Sequence, residues 1–427
     1  MVKTHHWNSL YLLSALCMIF MTLAIAVQPL YLRNVLGIGL ENAGVINASI
    51  QVVTELLDLM LIGYLGFLSD RYGRIPILTG GFIVAAIGAL LATFSLELGV
   101  LFGIGGLFFY YSMRIVMSLG TGAVWPQLST LAGDFTNYHN RPAFMAKAAF
   151  MMAFGATIVY AVLMQIPQHA GLVVVMLLTA GVALAGAWLS RNCLIDVAPR
   201  VKDNKASLKR VWQLVRSEPR LRLSFASAFF ARNDMVFIGL FLMLWFVYFA
   251  DPAGLTQEEV TGYAGMVVGL VGFVVLISIP LWGIFIDRHG RVAAIATGMG
   301  LSGLGLVWFG FIENPFEWTM FMPAVLLAAG QAGCLVAPQV LTVDLAPVEM
   351  RGSMLGMFYV VGSIGVALFV QLGGVLFDVV GPPAPFILIG LGNIAIMAYA
   401  IRLLRIDQDR DAGNVEMEMG GLEAESV

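Results

Sequence analysis

The sequence predicts an all-α integral membrane protein, with twelve transmembrane helices arranged as two pseudo-symmetric six-helix bundles. Three observations predict it. Apolar residues make up 59% of the 427 residues and charged residues only 11%, with a mean hydropathy of +0.88. A soluble domain carries roughly 25% charged residues, so this chain has too few to cover a water-facing surface of its size. The apolar residues gather in long blocks, and a helix needs about 20 of them to cross the hydrocarbon core. Finally, a charged motif that follows the second block recurs after the eighth, with Gly66 and Asp70 answered by Gly283 and Asp287, both displaced by 217 residues (283 − 66 and 287 − 70).

The first block, Asn8 to Leu32, is broken only by Ser, Thr, Gln and Pro among its polar or bending residues. It is too long for a signal h-region and no small-residue cleavage site follows it, so it reads as the first span, 9–32. The second, 44–67, carries Gln51, Glu55 and Asp58 and ends in the first copy of the charged motif. Spans at 76–96 and 99–123 follow, the latter containing Arg114; 143–166 and 171–191 complete six. The second six are 221–249, with Arg232-Asn233-Asp234 inside it, then 260–286, 292–312, 319–343, 353–377 and 384–404. Strands of a membrane barrel would alternate polar and apolar residues in segments of about 10, and these blocks are longer and more uniform. The chain therefore divides into a first bundle, 1–192, a basic polar linker, 193–220, a second bundle, 221–405, and an acidic tail, 406–427, expected to be disordered and cytoplasmic.

Orientation follows from Lys and Arg, which concentrate in cytoplasmic loops. With the N-terminus in the cytoplasm, 20 of the 23 basic residues fall on that side; Arg33 lies in an outer loop, and Arg114 and Arg232 lie inside spans. An even number of spans returns the C-terminus to the same side. Cys17, Cys193 and Cys334 are far apart and imply neither a disulfide framework nor a thiolate metal site. No phosphate loop, HExxH or nucleophile elbow is present. An ATP-driven pump and an enzyme are thus disfavoured, and neither a cofactor nor a nucleic-acid partner is expected. The expected partners are the lipid bilayer, a small-molecule or ion substrate, protons, and proteins reached through the linker or tail. His5 and His6 read as solvated surface, and Trp7, Trp125, Trp245 and Trp318 as interfacial anchors near span ends.

The repeat G-x-x-x-D-R-x-G-R reads as a charged clasp at a tight turn between helices. Asp70, Arg71, Gly73 and Arg74 form one copy, and Asp287, Arg288, Gly290 and Arg291 the other. The glycine permits the turn, and the charges are placed to pair across helix ends and hold the cytoplasmic side shut. A second repeat, displaced by 210, places Asp134 and Arg141 after the fourth span and Asp344 and Arg351 after the tenth, with Glu349 between the latter pair. The alternative is a static turn anchored by positive-inside arginines.

GFLSDRYGRIPIL (66–78) resembles the loop motif of the major facilitator superfamily, and GIFIDRHGRVAAI (283–295) its second-half counterpart. Arg114-Ile-Val-Met-Ser-Leu-Gly120-Thr-Gly122-Ala is similar to the superfamily's fourth-helix motif, departing from it at Met117 and Ser118; Asp344 to Gly352 resembles its tenth-to-eleventh loop. The resemblance runs to about Arg405. It implies two bundles around a central cavity that is exposed to either side in turn. The fifth span lacks the Gly-Pro pair of many drug antiporters of the superfamily. The stretch 7–71 further resembles the major facilitator proteins of bacterial magnetosome membranes, which are implicated in iron movement. That resemblance implies an inner membrane, or a membrane derived from it such as the magnetosome membrane.

A charge in mid-bilayer costs roughly 2.5–3.5 kcal/mol on insertion scales, so each one needs a reason. Gln51, Glu55 and Asp58 share one helical face. The two acids are the candidates for a cation or proton site and for a metal. Arg114, Arg232, Asp234 and Gln331 complete the expected substrate or proton residues. The alternative is structural ion pairing that locks helices together, Arg114 with Glu55 or Asp58 and Arg232 with Asp234, although the last two, two residues apart, do not face each other on an ideal helix and would then find partners elsewhere. Three functions remain open: a proton-coupled or uniport carrier for a cation, which the magnetosome resemblance narrows to iron; a carrier for a small organic anion or metabolite held by Arg114 and Arg232; and a receptor or scaffold that keeps the fold without transport.

Overall fold

The computed structural model describes residues 2–136, 141–197, 208–347 and 351–424. Long apolar helices dominate because a helix satisfies its backbone hydrogen bonds internally, as hydrocarbon requires. The first half contains α1 (Thr4–Ala26), α2 (Gln28–Asn34), α3 (Ala43–Tyr72), α4 (Arg74–Thr93), α5 (Ser95–Leu101), α6 (Gly106–Asp134), α7 (Arg141–Ala161), α8 (Ile166–Ala170) and α9 (Leu172–Cys193). A ten-residue helix, α10 (Leu208–Ser217), precedes the second half: α11 (Pro219–Phe237), α12 (Met243–Ala253), α13 (Gln257–His289), α14 (Arg291–Phe309), α15 (Phe321–Leu345), α16 (Arg351–Val379) and α17 (Ala384–Ala424). Among the described residues, eleven helical segments are long and apolar enough to cross a membrane, and the bent pair α5–α6 supplies a twelfth.

Several spans differ from their expected form for identifiable reasons. The first breaks at Val27, where Pro29 opens α2. The fourth was expected over 99–123 but is bent by 114° between α5 and α6. Gly103 and Gly105, with φ of 69° and 80°, turn the chain there, and hydropathy does not register such a turn. The seventh passes from α11 to α12 through a π-helical turn, Ile238–Leu242, and Trp245 beyond it is buried in the core rather than anchored at an interface. His6 is buried too, its Nδ1 3.0 Å from the Cys193 carbonyl. The last helix continues to Ala424, across most of the segment expected to be disordered. Extension from a helix already nucleated in the membrane adds a hydrogen bond per residue without a new nucleation cost.

The turns predicted from the charged repeat define one face of the molecule, the basic face. Helix α3 stops at Tyr72 and α4 restarts at Arg74 across Gly73 (φ 102°); α13 and α14 do the same across Gly290 (φ 83°). At the opposite face the halves are sewn together. Arg33 pairs with Asp251 at 2.7 Å, and Tyr248 Oη donates to the Ile38 carbonyl at 2.8 Å. The Asp378 carboxylate accepts from the Gly44 and Val45 amides at 2.7 and 2.8 Å, capping the free N–H groups of α3 from the other half. Close backbone approach continues this seam. A side chain on Gly44 would strike the Gly374 carbonyl, and one on Gly265 or Gly269 would meet Tyr160 and Ala161 of α7. Small residues at helix crossings allow such contacts.

Candidate transport site

Helix α3 presents its polar face to α6 and α11. Glu55 reaches across the halves to Arg232 on α11, Oε1 to Nη2 3.3 Å. Glu55 is the more enclosed partner, its side chain 14% exposed against 43% for Arg232. One turn along α3, Asp58 turns instead to α6, where Ser118 Oγ donates to its Oδ1 at 2.8 Å; the same hydroxyl also lies 3.0 Å from the Thr54 carbonyl. Ser118 is one of the two departures from the fourth-helix motif, and here it holds the second acid. Gly122 makes room for that carboxylate, since a Cβ there would sit 2.7 Å from Asp58 Oδ1. Gln51 is buried on the same face with its Oε1 unpartnered.

The basic residues fall otherwise than the pairing alternative required. Arg114 makes no ion pair with Glu55 or Asp58 among the described residues. It is buried, its Nε has no hydrogen-bond partner, and it lies within electrostatic reach of Asp58 and Tyr110. Arg232 faces Glu55, with Gly362 of α16 flush against its side chain. Asp234 does not join this group. It is fully buried and turns to α14 and α17, where Ser302 Oγ donates at 2.5 Å and Asn393 Nδ2 lies 3.1 and 3.2 Å from its two oxygens. Two residues along a helix is a rotation of about 200°, which sends Arg232 and Asp234 to opposite sides. Gln331 is buried on α15. The site thus holds two acids and two bases, with one ion pair made and Asp58 and Arg114 each without an ionic partner among the described residues. No group of three or more His, Cys, Asp and Glu side chains suited to a metal occurs among those residues.

Among the described residues, each clasp forms an ion pair inside its own half. Arg74 Nε reaches Asp134 at the end of α6 at 3.4 Å, and its Nη1 donates to Ser69 Oγ at 2.6 Å. In the second half Arg291 Nε reaches Asp344 near the end of α15 at 2.7 Å. The two repeats, displaced by 217 and 210 residues, therefore meet as one device built twice. Arg71, Asp287 and Arg288 are exposed, and Arg71 lies 5.4 Å from the Tyr72 ring centroid. The side chains of Asp70, Arg141 and Arg351, and all of Glu349, lie outside the described residues. Sequence reasoning missed Asp196, whose carboxylate caps α4 by accepting from the Arg74 amide at 2.8 Å, and also Asp378 and Asn393. A single acidic residue near a span end, or one amide within a span, carries no local signal of a partner more than a hundred positions away.

Comparison with known proteins agrees with this architecture. The Major Facilitator Superfamily profile matches residues 10–264 and 236–424. Magnetosome protein MamH of Paramagnetospirillum magneticum is 58% identical over 412 residues, covering 96% of this chain and 95% of that one. Magnetosome protein MamZ of the same organism is 41% identical, covering 93% of this chain but only 62% of its own length. Among solved structures, the crystal structure of a D-xylose–proton symporter superposes with a TM-score of 0.71 at 14% identity, covering 92% of this chain and 96% of that one.

Proposed function

The chain belongs to the major facilitator superfamily, and on that premise we propose that it is a proton-coupled carrier of a cation, iron foremost, in a magnetosome-type membrane. The observation that carries this reading is the Glu55–Arg232 ion pair, which joins the two halves at the polar core. Arg232 is an internal counter-ion that a cargo cation or a proton on Glu55 would replace. Either event would release the bond between halves that must rock against one another. Asp58, held by Ser118 and free of an ionic partner among the described residues, is the second carboxylate for the cargo or the proton. Two carboxylates, rather than a closed set of ligands, suit an ion that must leave again.

The rest of the molecule fits the same cycle. The far-face seam of Arg33–Asp251, the Asp378 cap and the glycine crossings closes one end. At the basic face, the Arg74–Asp134 and Arg291–Asp344 pairs each lie within one half. A closed far face supports a reading as one state of a carrier whose cavity is exposed to either side in turn. By the positive-inside rule the basic face is cytoplasmic, with both termini on that side, and the linker and tail are there to meet protein partners. The kinship with magnetosome proteins supports the membrane assignment.

Arg114 favours a second reading. A buried guanidinium with no ionic partner among the described residues is an anchor for an anionic group, so a small organic anion is the alternative cargo. Uptake of ferrous iron, other divalent metals and a panel of organic acids into proteoliposomes separates the two. Saturable metal uptake that is lost in E55Q/D58N is expected. Organic-acid uptake that is lost in R114Q, with no metal flux, would replace the cation by the anion.

A further inference from the structure

A cavity of about 260 Å³ lies beneath α10 at the basic-face ends of α11 and α16, and it shares no lining residue with the Glu55–Arg232 site. Its wall is almost wholly apolar, formed by Trp212, Phe225, Phe229, Phe230 and Val361, and its one charged lining residue is Arg222. Four of these, at 222, 225, 229 and 230, fall on one face of α11. They carry the wall about 12 Å along the helix from the guanidinium toward the membrane interior.

Helix α10 forms the rim. Val211 and Val215, one turn apart, are buried against Leu221, Phe225, Met354 and Phe358, which fixes the helix across the ends of α11 and α16. Trp212 flanks that buried pair and borders the cavity while remaining exposed, and Lys209, Arg210 and Arg216 are exposed as well. The Arg216 guanidinium lies 5.5 Å from the Trp212 ring centroid. Lys209, Arg210 and Arg222 have no ion pair among the described residues. Glu218, the acid in this stretch, is engaged with the Arg220 amide.

We propose that this is a binding site for an anionic phospholipid of the leaflet at the basic face, with its phosphate at Arg222, in the field of the exposed α10 cations, and part of an acyl chain along Phe225, Phe229 and Phe230. The juxtaposition selects this class. A small anion would leave the aromatic wall without a role, and a neutral lipid would leave the cluster of cations without one. The volume lies below the roughly 300–1,000 Å³ of pockets that enclose a whole small-molecule ligand, as befits a segment of chain entering from the side. Basic residues beside a membrane surface are attracted to anionic lipid in the same way. A lipid so held would fasten the linker to the second half, independently of what the carrier moves.

Trp212 provides the readout. Full-length protein, stripped of lipid in detergent, is titrated with phosphatidylglycerol or phosphatidylcholine carrying brominated acyl chains, which quench tryptophan on contact. Subtracting the W212F signal isolates Trp212 from the other tryptophans. Half-quenching at a five-fold or greater lower concentration of phosphatidylglycerol is expected, with the preference lost in R222Q and largely kept in R222K. Equal quenching by both lipids would overturn the proposal, as would an R222Q protein that keeps the preference. Quenching by a brominated alkyl phosphate without any by phosphatidylglycerol would also overturn it, in favour of a soluble amphiphile. If R222Q does not fold, K209Q/R210Q, outside the cavity, is expected to reduce the preference at least two-fold, and an unchanged preference refutes the site.

Discussion

Replacing Glu55 by glutamine tests the bond between the halves. At 3.3 Å, two unit charges attract by about 5 kcal/mol in a medium of effective dielectric about 20, and by about 1.3 kcal/mol in water. Arg232 is 43% exposed, so solvent screening pulls the value toward the lower figure. About 1–2 kcal/mol remains, equivalent to a roughly 5–30-fold change in a conformational ratio. E55Q keeps the size and most of the hydrogen-bonding capacity of the side chain and removes only the charge. The state closed at the far face should therefore lose that factor in population. Spin labels at Tyr72 and His289, both exposed and related by the 217-residue repeat (289 − 72), report the opening at the basic face by electron–electron distance measurement. The longer-distance population should shrink in E55Q and equally in R232Q, and the double variant should add little, since each single change already breaks the pair. An unchanged distance distribution in E55Q would refute the claim that this pair holds the halves in the described arrangement.

Three further outcomes follow from the same geometry. S118A removes the donor that holds Asp58. A hydrogen bond to a charged group contributes about 1.5–3 kcal/mol, so kcat/KM for uptake should fall by at least about ten-fold, as measured by initial rates in proteoliposomes. D234A removes the acceptor shared by Ser302 and Asn393 and leaves them only their mutual bond, Asn393 Nδ2 to Ser302 Oγ at 3.1 Å; at about 1–3 kcal/mol for a donor left unpaired in the core, Tm in detergent should fall clearly while the transport rate per folded molecule is retained. D134N and D344N break the two clasps, whose pairs are 15%/21% and 38%/44% exposed at 3.4 and 2.7 Å respectively. Burial outweighs the shorter distance because water screens the exposed pair, so D134N should slow transport several-fold without weakening substrate binding, and D344N should slow it less.

The sequence made the membrane fold legible because a bilayer leaves few options. Apolar blocks of this length must be helices, and the repeat of Gly66–Arg74 at Gly283–Arg291 exposed the two halves. The break at Val27 and the bend at Gly103–Gly105 were less visible, since hydropathy averages over the glycines and proline that cause them. In the site, the shared face of Gln51, Glu55 and Asp58 followed from helical period alone. Their partners did not. Arg232 is 177 positions from Glu55, and Arg114, closer in sequence and equally charged, was the more obvious mate. Ser118 was visible only as a departure from a motif, and its role emerged once α6 was packed against α3. Asp234 was counted with the cavity residues because it is a charge inside a span, and helical rotation sends it instead to α14 and α17. Asp196 and Asp378 cap helices 122 and 334 positions away, which no local pattern encodes.

The most direct measurement is uptake of ferrous iron into proteoliposomes with an imposed pH gradient, with internal pH followed at the same time in wild type and E55Q. Iron flux accompanied by proton movement in the wild type, with the coupling lost in E55Q, is the predicted result. Iron flux in E55Q that keeps the full response to the gradient would contradict the role given to the Glu55–Arg232 pair.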